Sequence, residues 1–423
     1  MSTDRTAALV DDADGVAEVA DAIRRAGAFA FDLEFVSEDR YVPELALVQA
    51  AWGDPSSPEV AAIDPLAVDA RPIFDLVADP SVEAVAHAAR QDLGLLTTTY
   101  GVTARGFVDT QIAASFAGLP DQVGYARLVQ QLYGVVIDKG PQHTDWRRRP
   151  LSERQLRYAL DDVRHLLPAW HELRARLTQR GRLGWAREES QRLAESVVQR
   201  RPPEDLYRQV GGWTALKGPA LAVLRELAAW REREALGSNT PPSWILTDQA
   251  LIDLARRAPR GAEELPRVRG LNGAVARKHG AALLAAIAAA DGQEVKVDAA
   301  RSLSARAQAQ AAVVAAIVQA SCGEADVPVR LVGGRGDAEA LVAWFEANPA
   351  APLSGEPIGP PLDAPGADLR QAARSGEPAA ALLEGWRFEV AGRPALAWLR
   401  GETALAVDPG APGGLRPIEL PRG

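Results

Sequence analysis

The sequence predicts an α/β domain built on a central sheet, followed by a long helical half. From 28 to about 115, short apolar runs rich in Val, Ile and Phe alternate with helix-like segments. From about 122 onward the helical period takes over. Between the two helical blocks, RPP at 201–203 followed by the polar EDLYRQVGG reads as a linker.

In order along the chain, AFAFDLEFV (28–36), ELALVQAAW (44–52), EVAAID (59–64) and VEAVAH (82–87) read as strands. Segments near 71–78, 90–99 and 109–117 read as helices beside them. Ser152-x-x-Gln155 is a capping-box pattern, so a helix should begin there and run through RQLRYALDDVRHLLPAW. A helical block spans about 214 to 290, and an Ala-rich helix spans 302–322. Shorter helical pieces follow, interrupted by the loop-like PLSGEPIGPPLDAPGADLR (352–370). No short repeat is present.

Composition sets the class. The 423 residues are 47% hydrophobic and 24% charged, as in an ordinary globular protein. The first residues have neither a basic nor an apolar region of the signal-peptide kind. AALLAAIAAA (281–290) is too short to span a membrane. The single Cys322 can form no internal disulfide, which fits a reducing, cytoplasmic setting. Only Lys139, Lys217, Lys278 and Lys296 are lysines among 47 Lys and Arg, so arginine abundance reflects overall composition. A net charge of −9 argues against broad non-specific nucleic-acid binding but leaves room for a local basic groove.

The chemistry starts at FAFDLEF (29–35). Side chains two apart on a strand point the same way, so Asp32 and Glu34 converge while Phe31, Leu33 and Phe35 cover the other face. Two neighbouring carboxylates in an apolar setting repel and resist desolvation. Either this is the solvated face of an edge strand, or a divalent cation relieves both penalties. Asp92 falls near the start of a helix, where it could simply complement the macrodipole. Tyr158 and Asp162 are one turn apart on one helix face, and Asp161 is rotated about 100° away.

Together, F-D-L-E-F on a strand, H-x-x-x-x-D-L-x-x-L at 87–96 and Y-A-x-x-D-V-x-x-L at 158–166 resemble the three exonuclease motifs of the ribonuclease D family, in its tyrosine-bearing branch. YVPELALVQ (41–49), FVDTQIAA (107–114) and KGPQHTDWRRRPLSERQLRYAL (139–160) resemble the intervening family segments. The likeness covers roughly 10 to 200. Residues 221–287, with Trp230-Arg231, Pro242, Ile245-Leu246, Pro259 and the Leu265–Gly270 turn, resemble the helicase-and-RNase-D C-terminal (HRDC) domain. LVGGRGDAEALV (331–342) and LLEGWRFEVAG (382–392) more faintly resemble a second, degenerate HRDC-like region.

The resemblance implies a ribonuclease H-like exonuclease domain over 1–205 with a mixed sheet, an all-α HRDC bundle over 214–294 and an HRDC-like helical region over 295–423. It implies a metal-dependent 3′–5′ exoribonuclease. Asp32, Glu34, Asp92 and Asp162 would hold two Mg²⁺ or Mn²⁺ ions, Tyr158 would position the attacking water, and nucleoside 5′-monophosphates would leave from the 3′ end. The expected partners are the 3′ ends of tRNA precursors or small structured RNAs, with no membrane and a monomeric chain. A 3′–5′ DNA exonuclease acting on single-stranded DNA and a non-catalytic RNA-binding scaffold are the alternatives. Retention of all four acids and the tyrosine disfavours the scaffold.

Other residues have two readings. His87 reads as a structural hydrogen-bonding residue over a catalytic base, His143 and His165 as polar surface residues, with His165, i+3 from Asp162, alternatively supporting that acid, and Asp109 as a helix cap. GGRG at 333–336 is a turn, since no GKS/T ending accompanies it. Arg147, Arg148 and Arg149 either contact phosphates or are a solvated run. Tyr41 and Trp146 either stack on bases or pack in the core.

Overall fold

The computed structural model describes residues 9–137, 140, 144–198, 202–293, 295, 303–348 and 381–421. The 352–370 stretch, Lys139, His143 and Arg201 lie outside the described residues.

The first part is a mixed six-stranded sheet with helices on both faces. It runs β1 (Leu9–Val10), α1 (Ala13–Ala26), β2 (Ala28–Val36), β3 (Glu44–Trp52), β4 (Glu59–Ile63), α2 (Arg71–Ala78), β5 (Glu83–Ala86), α3 (Arg90–Tyr100), β6 (Phe107–Asp109), α4 (Thr110–Phe116), α5 (Tyr125–Tyr133), α6 (Glu153–Arg164), α7 (Leu166–Gln179) and α8 (Leu183–Val198). The strand order is β1-β4-β3-β2-β5-β6. β2 pairs antiparallel with β3 and parallel with β5. β2 thus lies inside the sheet at its start, whereas Asp32 and Glu34, beyond the last β5 pair at Ala30, bond only to β3; their half-buried side chains are what set them apart from a solvated edge.

The alternation along β2 divides the interior. Phe29, Phe31 and Leu33 pack with Ile23, Phe74 and Leu96 on one face. Ala30 points to the other, packing with Ala51, Val85, Val108 and the helices α4 and α7. Asp32 and Glu34 continue the Ala30 side. The pairing with β3 slips after Glu34: Glu34 faces Leu47 and Phe35 faces Leu45, leaving Ala46 as the extra residue of a bulge. Arg149 secures this irregularity. It donates to the Ala46 carbonyl at 2.7 Å and grips Asp64 at the end of β4 at 2.5 and 2.7 Å.

Local capping positions the helices. Asp12 accepts from the Gly15 amide at 2.7 Å to start α1, and left-handed Gly27 (φ 71°) ends it. Ser152 and Gln155 form the expected capping box at the start of α6.

The HRDC-like bundle comprises α9 (Pro219–Ser238), α10 (Pro242–Ile245), α11 (Asp248–Arg257) and α12 (Gly273–Ala289) around Leu224, Leu227, Leu251 and Leu283. The last part has α13 (Ala305–Ala325), α14 (Val329–Val332), α15 (Arg335–Ala347), α16 (Gly385–Arg387), a π turn at Phe388–Gly392 and α17 (Arg393–Leu399). It ends in a hairpin of β7 (Thr403–Val407) and β8 (Leu415–Glu419), which a helical reading omits. Its helices share one apolar core with the sheet-containing part: Phe116 meets Trp386 edge-on, and Trp185 stacks on Trp386 at 5.2 Å. Arg387 grips the buried Glu189 with two hydrogen bonds of 2.5 and 2.6 Å, beside Trp386 Nε1. No helix of the described residues is long and apolar enough to cross a membrane.

Candidate active site

Three elements deliver the acids. β2 carries Asp32 and Glu34, the first turn of α3 carries Asp92, and α6 carries Tyr158 and Asp162. Carboxylate oxygens of Asp32, Glu34 and Asp162 lie within 4.8 Å of one another, with their side chains half-buried. Asp92 is buried, at 9% exposure, and stands outside that tight trio. It is close enough to be the strongest charged neighbour raising the pKa of Asp32.

The electrostatics are those of crowded acids. Burial first, then Asp92, Asp162 and Glu34, push Asp32 well above the usual carboxylate range. Burial, Asp162 and Asp92 push Glu34 up to about 8. Asp92 is pushed up to about 7 by burial, with Asp109 adding to the effect. Asp162 also reaches about 7, mainly by burial, although the Tyr158 hydroxyl hydrogen-bonds it and partly opposes the rise. An all-oxygen set of this kind fits a hard divalent cation, which removes both the repulsion and the desolvation cost.

Asp109 does more than cap α4. Its carboxylate accepts from Gln111 at 2.8 Å and from the amides of Ala88 and Ala89, both at 3.0 Å. Ala88 has φ 55°, an unfavourable conformation for a residue with a Cβ, and this carboxylate holds it there. The turn then feeds straight into α3 and Asp92. His87 is structural, as expected: its ring bridges Thr110 Oγ1 at 2.9 Å and the Val123 carbonyl at 3.0 Å, and burial lowers its pKa. Asp161 points elsewhere, paired with Arg164 at 3.1 Å.

Among the nucleic-acid contacts the sequence offers, the structure gives four of the residues partners within the chain. Trp146 is 2% exposed, packed on Leu47, Ala62 and Leu160 and against the Tyr158 ring, so it cannot stack on a base. Tyr41 packs on the helical bundle and hydrogen-bonds Glu232, while the Val42 amide bonds Asn239 at 2.8 Å. The loop after β2 is thereby tied to α9 instead of presenting Tyr41 to a nucleotide. Arg149 is consumed by Asp64 and the Ala46 bulge. Arg147 is held by Asp145 at 2.8 Å. Arg148 alone of the run is free to reach outward: its side chain is 85% exposed, 3.9 Å from Asp145.

One candidate escaped the sequence reading. Arg154 is exposed in the first turn of α6 and makes no ion pair among the described residues. Arg154, Tyr158 and Asp162 are spaced i, i+4, i+8, so they form one stripe along the helix. That spacing was the available signal.

Comparisons with known proteins give the family. A 3′–5′ exonuclease family model matches residues 7–178, and an HRDC domain model matches 220–287. Ribonuclease D of Gluconacetobacter diazotrophicus is 36% identical over 407 residues, covering 95% of this chain and 94% of the relative. Ribonuclease D of Granulibacter bethesdensis is likewise 36% identical over 407 residues. The crystal structure of Escherichia coli RNase D, described as an exoribonuclease involved in structured RNA processing, superposes with a TM-score of 0.76 at 28% identity, covering 93% of this chain and 99% of that one. A Bifidobacterium adolescentis protein at 21% identity and a TM-score of 0.62 shares the fold. Over nearly its whole length, then, the chain belongs to the ribonuclease D family of 3′–5′ exonucleases.

Proposed function

We propose that the chain shortens RNA from its 3′ end to nucleoside 5′-monophosphates, with Asp32, Glu34, Asp92 and Asp162 holding two Mg²⁺ or Mn²⁺ ions. The carrying observation is the convergence of acids from β2 and α6, whose Asp32, Glu34 and Asp162 come within 4.8 Å of one another, with Asp92 of α3 as a charged neighbour of Asp32. When bound, such an ion pair activates a water and stabilises the leaving 3′ oxygen.

The chain's own groups do the rest. Burial and the sheet pairing of β2 fix the carboxylates in direction, so little reorganisation is needed when substrate arrives. Tyr158, hydrogen-bonded to Asp162 and backed by Trp146, orients the attacking water. Arg148 and Arg154 meet the phosphates of the incoming strand. The HRDC bundle, anchored at Asn239, widens the RNA-binding surface. In this reading residues 1–205 form the catalytic unit, 214–294 the HRDC unit and 295–423 the third region, the chain acting as a monomer on tRNA precursors or small structured RNAs.

The test is side-by-side digestion of 3′-extended tRNA, single-stranded RNA and single-stranded DNA with Mg²⁺ and with Mn²⁺. The expected result is cleavage of RNA, abolished by Asp32→Asn or by EDTA while RNA binding persists. Activity of metal-free protein would sink the two-ion reading, and preferential digestion of DNA would replace the substrate.

A further inference from the structure

Gln49 sits in the middle of β3, paired across the sheet with Asp32 on one side and with Ala62 of β4 on the other. Residues opposed in this way project from the same face, with Cβ atoms about 5 Å apart. That face is roofed by α6: Ala62 packs with Trp146 and with Ala159 and Leu160 of that helix. Gln49 is 0% exposed. Neither its Nε2 nor its Oε1 has a hydrogen-bond partner among the described residues.

Such a residue needs a reason. An unpaired buried carboxamide is worse than an apolar side chain of similar shape. The rest of β3 between Leu45 and Ala51 is wholly apolar. Directly opposite stands a carboxylate, which when ionised only accepts hydrogen bonds, whereas a carboxamide offers two N–H donors. The indole N–H of Trp146, in the same layer, is also buried without a partner among the described residues. An indole N–H only donates and a carboxamide oxygen only accepts, so Trp146 matches Oε1 in kind, and Nε2 is the half that matches Asp32.

We propose that Gln49 is a positioning residue whose Nε2 donates to the Asp32 carboxylate in the cation-loaded site and fixes the orientation in which Asp32 binds the ion. Partners that orient a metal's ligands set affinity as well as geometry. The inference rests on the metal reading of the acidic cluster.

The test is calorimetric titration of Mn²⁺ into the metal-stripped full chain, as wild type, Gln49→Met and Asp32→Asn, with a melting curve for each. Gln49→Met keeps volume and removes both polar atoms. It should weaken Mn²⁺ binding by about 10- to 100-fold. It should leave the melting temperature of the metal-free protein unchanged or raise it, because an unpaired buried amide is gone. A residue that only fills space would leave Mn²⁺ affinity untouched. A folded Gln49→Met protein with affinity within about twofold of wild type overturns the proposal. If Gln49→Met does not fold, Gln49→Leu, which likewise removes both polar atoms, is titrated under the same two criteria. Mn²⁺ binding by wild type that is absent, or indifferent to Asp32→Asn, overturns the metal reading first and this inference with it.

Discussion

Raising the pH of the metal-stripped protein from about 5 to about 8.5 should lower its melting temperature, and Mg²⁺ should reverse the loss. The carboxyl of Glu34 keeps its proton up to about 8 in the folded chain, against an ordinary value of 4.5. Between those two values the folded state binds more protons than the unfolded one, so stability falls as pH rises through that window. The interval corresponds to about 5 kcal/mol for this group alone. An effective dielectric well above that of dry protein, and the partly open side chain, reduce it to roughly 2 kcal/mol. A loss of that size lowers the melting temperature by roughly 5 °C for a domain of this length. Asp92 and Asp162, each held up to about 7, act in the same direction and share the same repulsion. The assay is thermal unfolding by circular dichroism in EDTA across the pH series. Saturating Mg²⁺ should raise the alkaline melting temperature most, and Asp32→Asn should flatten the profile. A metal-free melting temperature that holds or rises from pH 6 to 8.5 refutes the crowded-acid account.

Further outcomes follow from the packing. Arg148→Ala and Arg154→Ala should each weaken RNA binding a few-fold and reduce its salt dependence without changing the melting temperature, as read by fluorescence anisotropy at several salt concentrations. Arg149→Met leaves Asp64 buried and unpaired, so it should cost about 3 kcal/mol in denaturant unfolding. Arg387→Ala takes both guanidinium bonds from the buried Glu189, leaving it Arg192 at 3.6 Å and the Trp386 indole at 3.2 Å, and should cost about 3 kcal/mol, much of it recovered when Glu189→Gln is combined with Arg387→Met. The fragment 1–205 should melt several degrees below the full chain, because removing α13 to α17 bares Phe116 and Trp185. Equal melting curves for the two would contradict the shared core.

What could be read in advance was what local pattern decides. The i, i+2 acids, the Tyr158–Asp162 stripe and the Ser152 cap all lie within a strand or a helical turn, and each appears where its spacing put it. The strands β1 and β6, two and three residues long, leave too little periodicity to detect. The fate of the arginines depended on partners far along the chain: Arg149 finds Asp64, 85 positions away, which no local window reveals. Tyr41 was hidden for the same reason, since its contacts belong to α9. The shared core at Trp386 was the hardest feature to foresee, because an amphipathic face does not name the surface that will cover it.

The clasp between Arg387 and Glu189 joins positions 198 residues apart. During synthesis, the ribosome must deliver α16 and α17 before the nuclease body can bury Glu189 and Phe116 and cover Trp185. An incomplete chain ending short of that point carries an aromatic surface and a buried-type acid with no cover, the features that mark a chain for chaperones or proteolysis. The cover of the nuclease core is thus supplied by residues nearly two hundred positions further along the chain, and until they emerge that patch stays open.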